Sequence, residues 1–376
     1  MFEKSIAIGV LAGLLATSCL SEARAGYTVV SLGVIPGGSI SSGAAINASG
    51  EVVGSGETQQ GQTNAFRGDG GTPTNLYTLP GGRFSAARSI NASGVVVGDS
   101  EIQTGQSSWQ IHAFRMSAGG AMEDLGVPLN ARASHATGIN AGGLISGYAQ
   151  YAGNATRGFV SGGPGDFAFL STFHLGGNSM ALGLNDRGQI VGAADLASGV
   201  YRAFVTTVGG PLVDLGTLGG AGASSYATAI NKEGVIAGYA GDANGFRAFK
   251  TRPDGTLQDL GALPGASSMT ASGINARGDV VGTAASGGIG RAFLHTDLDG
   301  LVDLNLLLDA NSGWILNTAT GINDQGQITG TGQYRGQTLA YRLDPSRVVI
   351  PEPSALALIA IGLTTSLAMA RRRPRP

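Results

Sequence analysis

One cysteine stands in 376 residues, and it is Cys19, inside an apolar N-terminal stretch. The remainder of the chain therefore offers no disulfide and no thiol chemistry. Charge is scarce as well, with Asp, Glu, Lys and Arg making up 13% of residues. The four histidines, His112, His135, His174 and His295, lie far apart and lack the His-Glu-x-x-His spacing of a zinc site. They read as ordinary strand and surface histidines. No Gly-x-Ser-x-Gly elbow, P-loop or sialidase-type Asp box stands out, so no catalytic, cofactor or metal residue is assigned. Glycine is the opposite case: 64 residues, without the Gly-x-y period of collagen, imply many tight turns.

Long apolar runs occur only at the two ends. Residues 1–25 combine Lys4, an apolar run from Ile6 to Leu20, and the small-x-small site Ala23-Arg24-Ala25. That is a secretory signal peptide cut after Ala25. Cys19 after Ala16-Thr17-Ser18 leaves a lipoprotein signal as the alternative, although such signals usually carry Leu three positions before the cysteine. At the other end, residues 348–353 form a linker, 354–370 an uncharged span of 17 residues and 371–376 a basic tail. Physics alone reads a transmembrane helix whose arginines stay on the cytoplasmic side. The order Pro351-Glu352-Pro353, apolar span, Arg371-Arg372-Arg373 also resembles the PEP-CTERM sorting signal of Gram-negative bacteria. The resemblance covers the last 26 residues. It implies an exosortase as partner, which cuts near the motif and releases the protein or re-attaches it outside. A permanent anchor is the alternative. Between the ends, residues 26–350 carry 17 Lys+Arg and 22 Asp+Glu, once Lys4, Arg24, four terminal arginines, Glu3, Glu22 and Glu352 are set aside. That excess of acid argues against nucleic acid as a partner.

What fills this middle is one phrase. "AINKEGVIAGYA" begins at Ala229, and close copies begin at Ala45, Ser89, Gly138, Gly183, Gly273 and Gly321. Their asparagines are Asn47, Asn91, Asn140, Asn185, Asn231, Asn275 and Asn323, spaced 44, 49, 45, 46, 44 and 48 residues apart. Such a period marks a solenoid, a propeller or an array. In the fifth copy "SYATAIN" and "GVIAGYA" read as strands, and Asn231-Lys232-Glu233-Gly234 joins them as a hairpin turn. The Asn side chain bonds the turn backbone and the Gly takes the left-handed closing position. "FRAFKTR", the turn Pro253-Asp254-Gly255 and "TLQDLG" supply third and fourth strands. The third recurs at Ala65-Phe66, Ala113-Phe114, Gly158-Phe159, Ala203-Phe204, Ala292-Phe293 and Ala340-Tyr341. The fourth recurs at Asp124-Leu125-Gly126, Asp214-Leu215-Gly216 and Asp303-Leu304-Asn305.

Four antiparallel strands per repeat make one propeller blade. The seventh repeat runs out at "TLAYRLDPS", and "YTVVSLGVIPGG" from Tyr27 matches its missing fourth strand. The expectation is an all-β, monomeric, seven-bladed β-propeller of four-stranded blades over residues 26–347. Pairing of N- and C-terminal strands closes it. The run "DLGTLGGAGASSYATAINKEGVIAGYAGDANGFRAF" resembles the HAF repeats of secreted bacterial proteins, named for a His-Ala-Phe triplet. Only His112-Ala113-Phe114 keeps that triplet whole. The resemblance spans residues 27–343 and implies an extracellular repeat protein without a defined activity.

Three patterns are candidates for more than packing. "TDLDGLVDLN" from Thr296 and "GDANGF" from Gly241 look like calcium loops, yet Asp299-Gly300 holds the hairpin place of Asp254-Gly255, and a turn explains it. Arg202, Arg247 and Arg291 each have an Asp 12 residues later, at Asp214, Asp259 and Asp303, as His112 has Asp124. Arg157 with Phe169 breaks that rule. Cross-strand charge pairs account for the offset better than a basic ring around a ligand. Finally, the two tryptophans, Trp109 and Trp314, fall in the long stretches Asp99–Ile111 and Leu306–Leu316, on one face of the expected fold. Aromatics there suit sugar stacking or a partner protein. The expected role is binding or structural, toward exopolysaccharide or surface proteins, at the cell surface or in matrix. The inner membrane would hold the chain before processing. The alternative is a secreted propeller enzyme such as a polysaccharide lyase or glycosidase, marked by paired carboxylates converging with a His or Tyr.

Overall fold

A computed structural model describes residues 26–242 and 245–346. The chain divides into two compact units. One is Tyr27–Pro345. The other, Met1–Gly26 with Ser346–Pro376, falls almost entirely outside the described residues. The cleavage site Ala23/Ala25, the motif Pro351-Glu352-Pro353 and Arg371, Arg372 and Arg373 lie there.

Tyr27–Pro345 is an all-β propeller. Residues 41–77, 179–214, 225–259 and 268–303 each form a four-stranded antiparallel sheet, and so do residues 314–345 together with Tyr27–Ser31. Seven separate four-stranded blades were expected, and this is corrected: five sheets are four-stranded, while repeats two and three share one eight-stranded sheet. Their hairpin Val96–Gly105/Ser108–Met116 causes the join. It is long enough for Ile111 to meet Ala133 of the next repeat in parallel. The long stretch from Asp99 to Ile111 is therefore mostly strand. The expected C-terminal transmembrane helix finds no support: no helix among the described residues is long and apolar enough to cross a membrane, and 354–370 lies outside them. The two described helices are the short 3-10 turns Ala152–Asn154 and Leu304–Leu307.

The Ala-Phe pair is the packing centre of each repeat. Phe66, Phe114, Phe159, Phe204, Phe249, Phe293 and Tyr341 are fully buried. Each faces a second-strand glycine in register, Gly238 opposite Phe249 for example. A Cβ on Gly238 would stand 2.7 Å from the Phe249 ring tip and would run into the Tyr226 carbonyl. Phe249 packs with Ala227, Ile230 and Ile236 of its own repeat and with Val191 and Ala203 of the one before. Each such ring contributes roughly 1.5–3 kcal/mol of burial, and the shared clusters fuse neighbours into one core.

The closing strand lies where the sequence places it. Tyr27 pairs with Pro345 and Ser31 with Tyr341, antiparallel. Leu32 and Ile35 then bury themselves against Val52, Phe66 and Ala340, which ties repeat one to repeat seven.

Candidate functional site

Every first strand carries a one-residue register shift against its second strand at the same place in the repeat, and repeat seven has another at Asn317. The extra residues are Ala44, Arg88, Thr137, Leu182, Thr228, Ser272 and Thr320. First strands are innermost in a propeller, so these residues line the channel. Thr137, Thr228 and Thr320 donate to carbonyls of the next repeat, Ala181, Ala271 and Gly43, at 2.9, 2.9 and 3.0 Å.

One end of the channel is held by the repeated asparagines. Asn231 Oδ1 accepts the backbone N–H groups of Glu233 and Val235 at 3.0 and 2.9 Å, as a turn residue should. Its Nδ2 donates to the Asn275 carbonyl at 2.9 Å. The same donation runs from Asn47 to Asn91, Asn91 to Asn140, Asn140 to Asn185, Asn185 to Asn231, Asn275 to Asn323 and Asn323 back to Asn47. The seven amides form a closed ring. A cavity of about 260 Å³ sits over it, and Lys232 and Asp324 pair there at 3.2 Å.

The opposite end, where second-to-third and fourth-to-first connections meet, has the chemistry. A cavity of about 480 Å³ is lined by Arg88, Asp99, His135 and Tyr148 among small residues. Arg88 Nε donates to Asp99 Oδ2 at 3.0 Å. His135 Nδ1 lies 3.4 Å from Asp99 Oδ1, and its ring stacks on Tyr148 at 4.8 Å. Burial, and then the Asp99 charge, push the Tyr148 hydroxyl above the ordinary tyrosine value, so it stays a donor. Asp99 Oδ1 and His135 Nε2 are buried without hydrogen-bond partners. Two unmet polar atoms in one cluster cost stability, and such sites are where function is sought.

More rings stand at this end. Tyr201, Tyr226 and Tyr239 stack in sequence at 5.8 and 5.0 Å, and Phe246 meets Tyr239 edge-on at 5.2 Å. Trp314 stacks on Tyr334 at 5.0 Å. Trp109 donates Nε1–H to the Gly81 carbonyl at 3.0 Å, with the Arg83 guanidinium 3.7 Å over its ring. Sequence reasoning picked the two tryptophans and passed over Tyr148, Tyr201, Tyr226 and Tyr239. The signal was present: His135 and Tyr226 occupy a first-strand position where other repeats carry Ser42, Ala86, Met180, Thr270 and Thr318.

The row of cations resolves into separate arrangements. His112 lies 2.8 Å from Asp124, Arg291 3.3 Å from Asp303 and Arg202 3.9 Å from Asp214. Arg247 departs from expectation. It pairs with Asp242 at 3.0 Å, at the end of the neighbouring second strand. Asp259 instead accepts the Gly261 N–H at 2.8 Å. Asp124 and Asp214 likewise accept from Gly126 and Gly216, both at 2.7 Å. The Asp of Asp-Leu-Gly is first a turn residue, and a cation is optional. Arg157, without a carboxylate, lies 5.4 Å over the Phe169 ring. Asp299 accepts from Thr296 Oγ1 at 3.1 Å as part of its turn. Among the described residues no three or more His, Cys, Asp or Glu come together as a metal site.

No family model matches the chain, and no curated protein matches it. Solved structures do. A prolyl endopeptidase aligns with TM-score 0.54 and 11% identity over 82% of this chain and 50% of its own. A puromycin hydrolase aligns at 0.49 and 14%, over 78% of this chain and 50% of its own. TolB from Acinetobacter baumannii aligns at 0.44 and 11%, over 80% and 64%. The chain thus spans about half to two thirds of these proteins. At such identities the likeness is one of fold, a propeller, and carries no activity with it.

Proposed function

We propose that this chain is an exported HAF-repeat protein of the cell surface or extracellular matrix that binds exopolysaccharide. The observation that carries the reading is three sets of stacked rings on the face where second-to-third and fourth-to-first connections meet: His135–Tyr148, Tyr201–Tyr226–Tyr239 and Trp314–Tyr334. Part-exposed rings offer flat apolar faces with polar edges, which suit sugar rings. The channel cluster holds a single carboxylate, Asp99, already engaged by Arg88. Hydrolysis by paired carboxylates has no footing in that cluster. Export and sorting rest on residues 1–25 and on Pro351-Glu352-Pro353 with Arg371, Arg372 and Arg373. An exosortase is the processing partner.

A glycan array probed with the purified protein tests the binding. Retention of polysaccharide by the native chain, reduced by Tyr226→Ala with the fold intact, is expected; no retention of any glycan would refute it. Sorting is tested separately in a host that has an exosortase. Alanines at Pro351, Glu352 and Pro353 should leave an unprocessed chain, and normal release by that variant would remove the sorting assignment.

A further inference from the structure

Arg88 is the one charged residue among the seven bulge residues of the channel. Where Thr137, Thr228 and Thr320 tie their repeat to the next, an arginine gives that tie up. Its side chain is 52% exposed, whereas that of Asp99 is 4% exposed. Asp99 holds only Nε at 3.0 Å, so the planar end of the guanidinium is oriented while its two terminal amino groups remain for the cavity. The stacked His135–Tyr148 pair stands beside it, in the same cavity of about 480 Å³.

We propose that this cavity is a subsite for a terminal sugar carrying a carboxylate, the uronic-acid end of an exopolysaccharide. The inference rests on the binding reading above and specifies its ligand. A guanidinium held from behind presents two parallel N–H donors, the match for a carboxylate that a lysine cannot reproduce. The His135–Tyr148 pair supplies an apolar face for the ring, and the protonated Tyr148 hydroxyl a donor. The volume is in the range of small-molecule sites. One cation in a domain with 17 Lys+Arg against 22 Asp+Glu suits one carboxylate at a chain end, where a long polyanion would be repelled.

Calorimetric titration of the purified protein with sodium glucuronate, and with glucose as the neutral probe, tests this. Glucuronate should bind and glucose should bind at least about tenfold more weakly. Arg88→Ser should remove that preference, Arg88→Lys should keep only part of it, and added salt should weaken glucuronate binding to the native chain. Ser272 fills the same bulge in repeat six, so the serine variant has a precedent in the fold. Should it fail to fold, Arg88→Lys and the salt series still decide. Equal binding of both sugars, binding unchanged in Arg88→Ser, or binding indifferent to salt would overturn the proposal. If the array still shows neutral polysaccharide bound, only this inference fails; if it shows nothing bound, the wider binding reading fails with it.

Discussion

Replacing Asn231 separates its two jobs. Oδ1 accepts two turn N–H groups at 3.0 and 2.9 Å, and Nδ2 donates to the next repeat at 2.9 Å. Asn231→Ala loses all three bonds inside a 5% exposed pocket. At about 1 kcal/mol net for each bond, with the Asn275 carbonyl left only its Gly278 N–H donor, the cost is about 2–4 kcal/mol. Asn231→Asp keeps both turn acceptors and loses only the donor, placing a carboxylate against the Asn275 carbonyl oxygen. Buried there, that carboxyl has a folded pKa above its unfolded value of about 4. Its protonated form restores a donor. The deficit of Asn231→Asp against the native chain should therefore be small below about pH 4 and grow as pH rises through the folded value. Urea unfolding midpoints for the native chain and both variants at several pH values measure this. If Asn231→Asp matched the native chain at neutral pH, the ring of amides would hold nothing together. If it matched Asn231→Ala at every pH, the turn bonds would be the part without value.

Three further outcomes are expected. Leu32→Ala, in the seam cluster with Phe66 and Ala340, should cost about 2–4 kcal/mol, and deleting residues 26–38 should lower the melting temperature further; an unchanged melting curve for the deletion would mean the ring does not close there. In double-mutant cycles Arg247 should couple to Asp242 by about 0.5–1 kcal/mol, shrinking with salt, and should show no coupling to Asp259. Burial, and then Lys250, hold the His295 imidazole below its usual value. The unfolded chain thus takes up the proton first, stability falls as pH drops from about 7 toward 5, and His295→Gln should flatten that slope; identical slopes would reject the assignment.

The repeat, its hairpin and its seam were legible because they rest on local chemistry. Asn-x-x-Gly names a turn, Ala-Phe opposite Gly names a core, and a missing strand at one end with its match at the other names closure. The outward half of the asparagine was not legible. Whether Nδ2 meets water or the next repeat depends on the spacing of neighbours in three dimensions. The serines were missed although they recur: Ser41, Ser134 and Ser225 each accept an Ala N–H of the preceding repeat and donate to its Gly carbonyl. A small polar residue at a strand start looks like turn composition until its partners are seen. Arg247 shows a third limit. Asp259 and Asp242 both lie within a side chain's reach, and the sequence offset had no means to rank them. The eight-stranded sheet hangs on one contact, Ala133 with Ile111, too slight for any pattern to announce.

The seam also decides how the molecule bears a load. The last strand, Gln337–Pro345, is flanked by Ile328–Tyr334 on one side and Tyr27–Ser31 on the other. Were this strand the rim of its sheet, a pull on its C-terminal end would peel a single ladder one bond at a time. Flanked as it is, the same pull must shear two ladders together, and Leu32 and Ile35 anchor the outer one in the core. A propeller fastened by its C-terminal end to something that moves would be gripped at a strand reinforced from both sides.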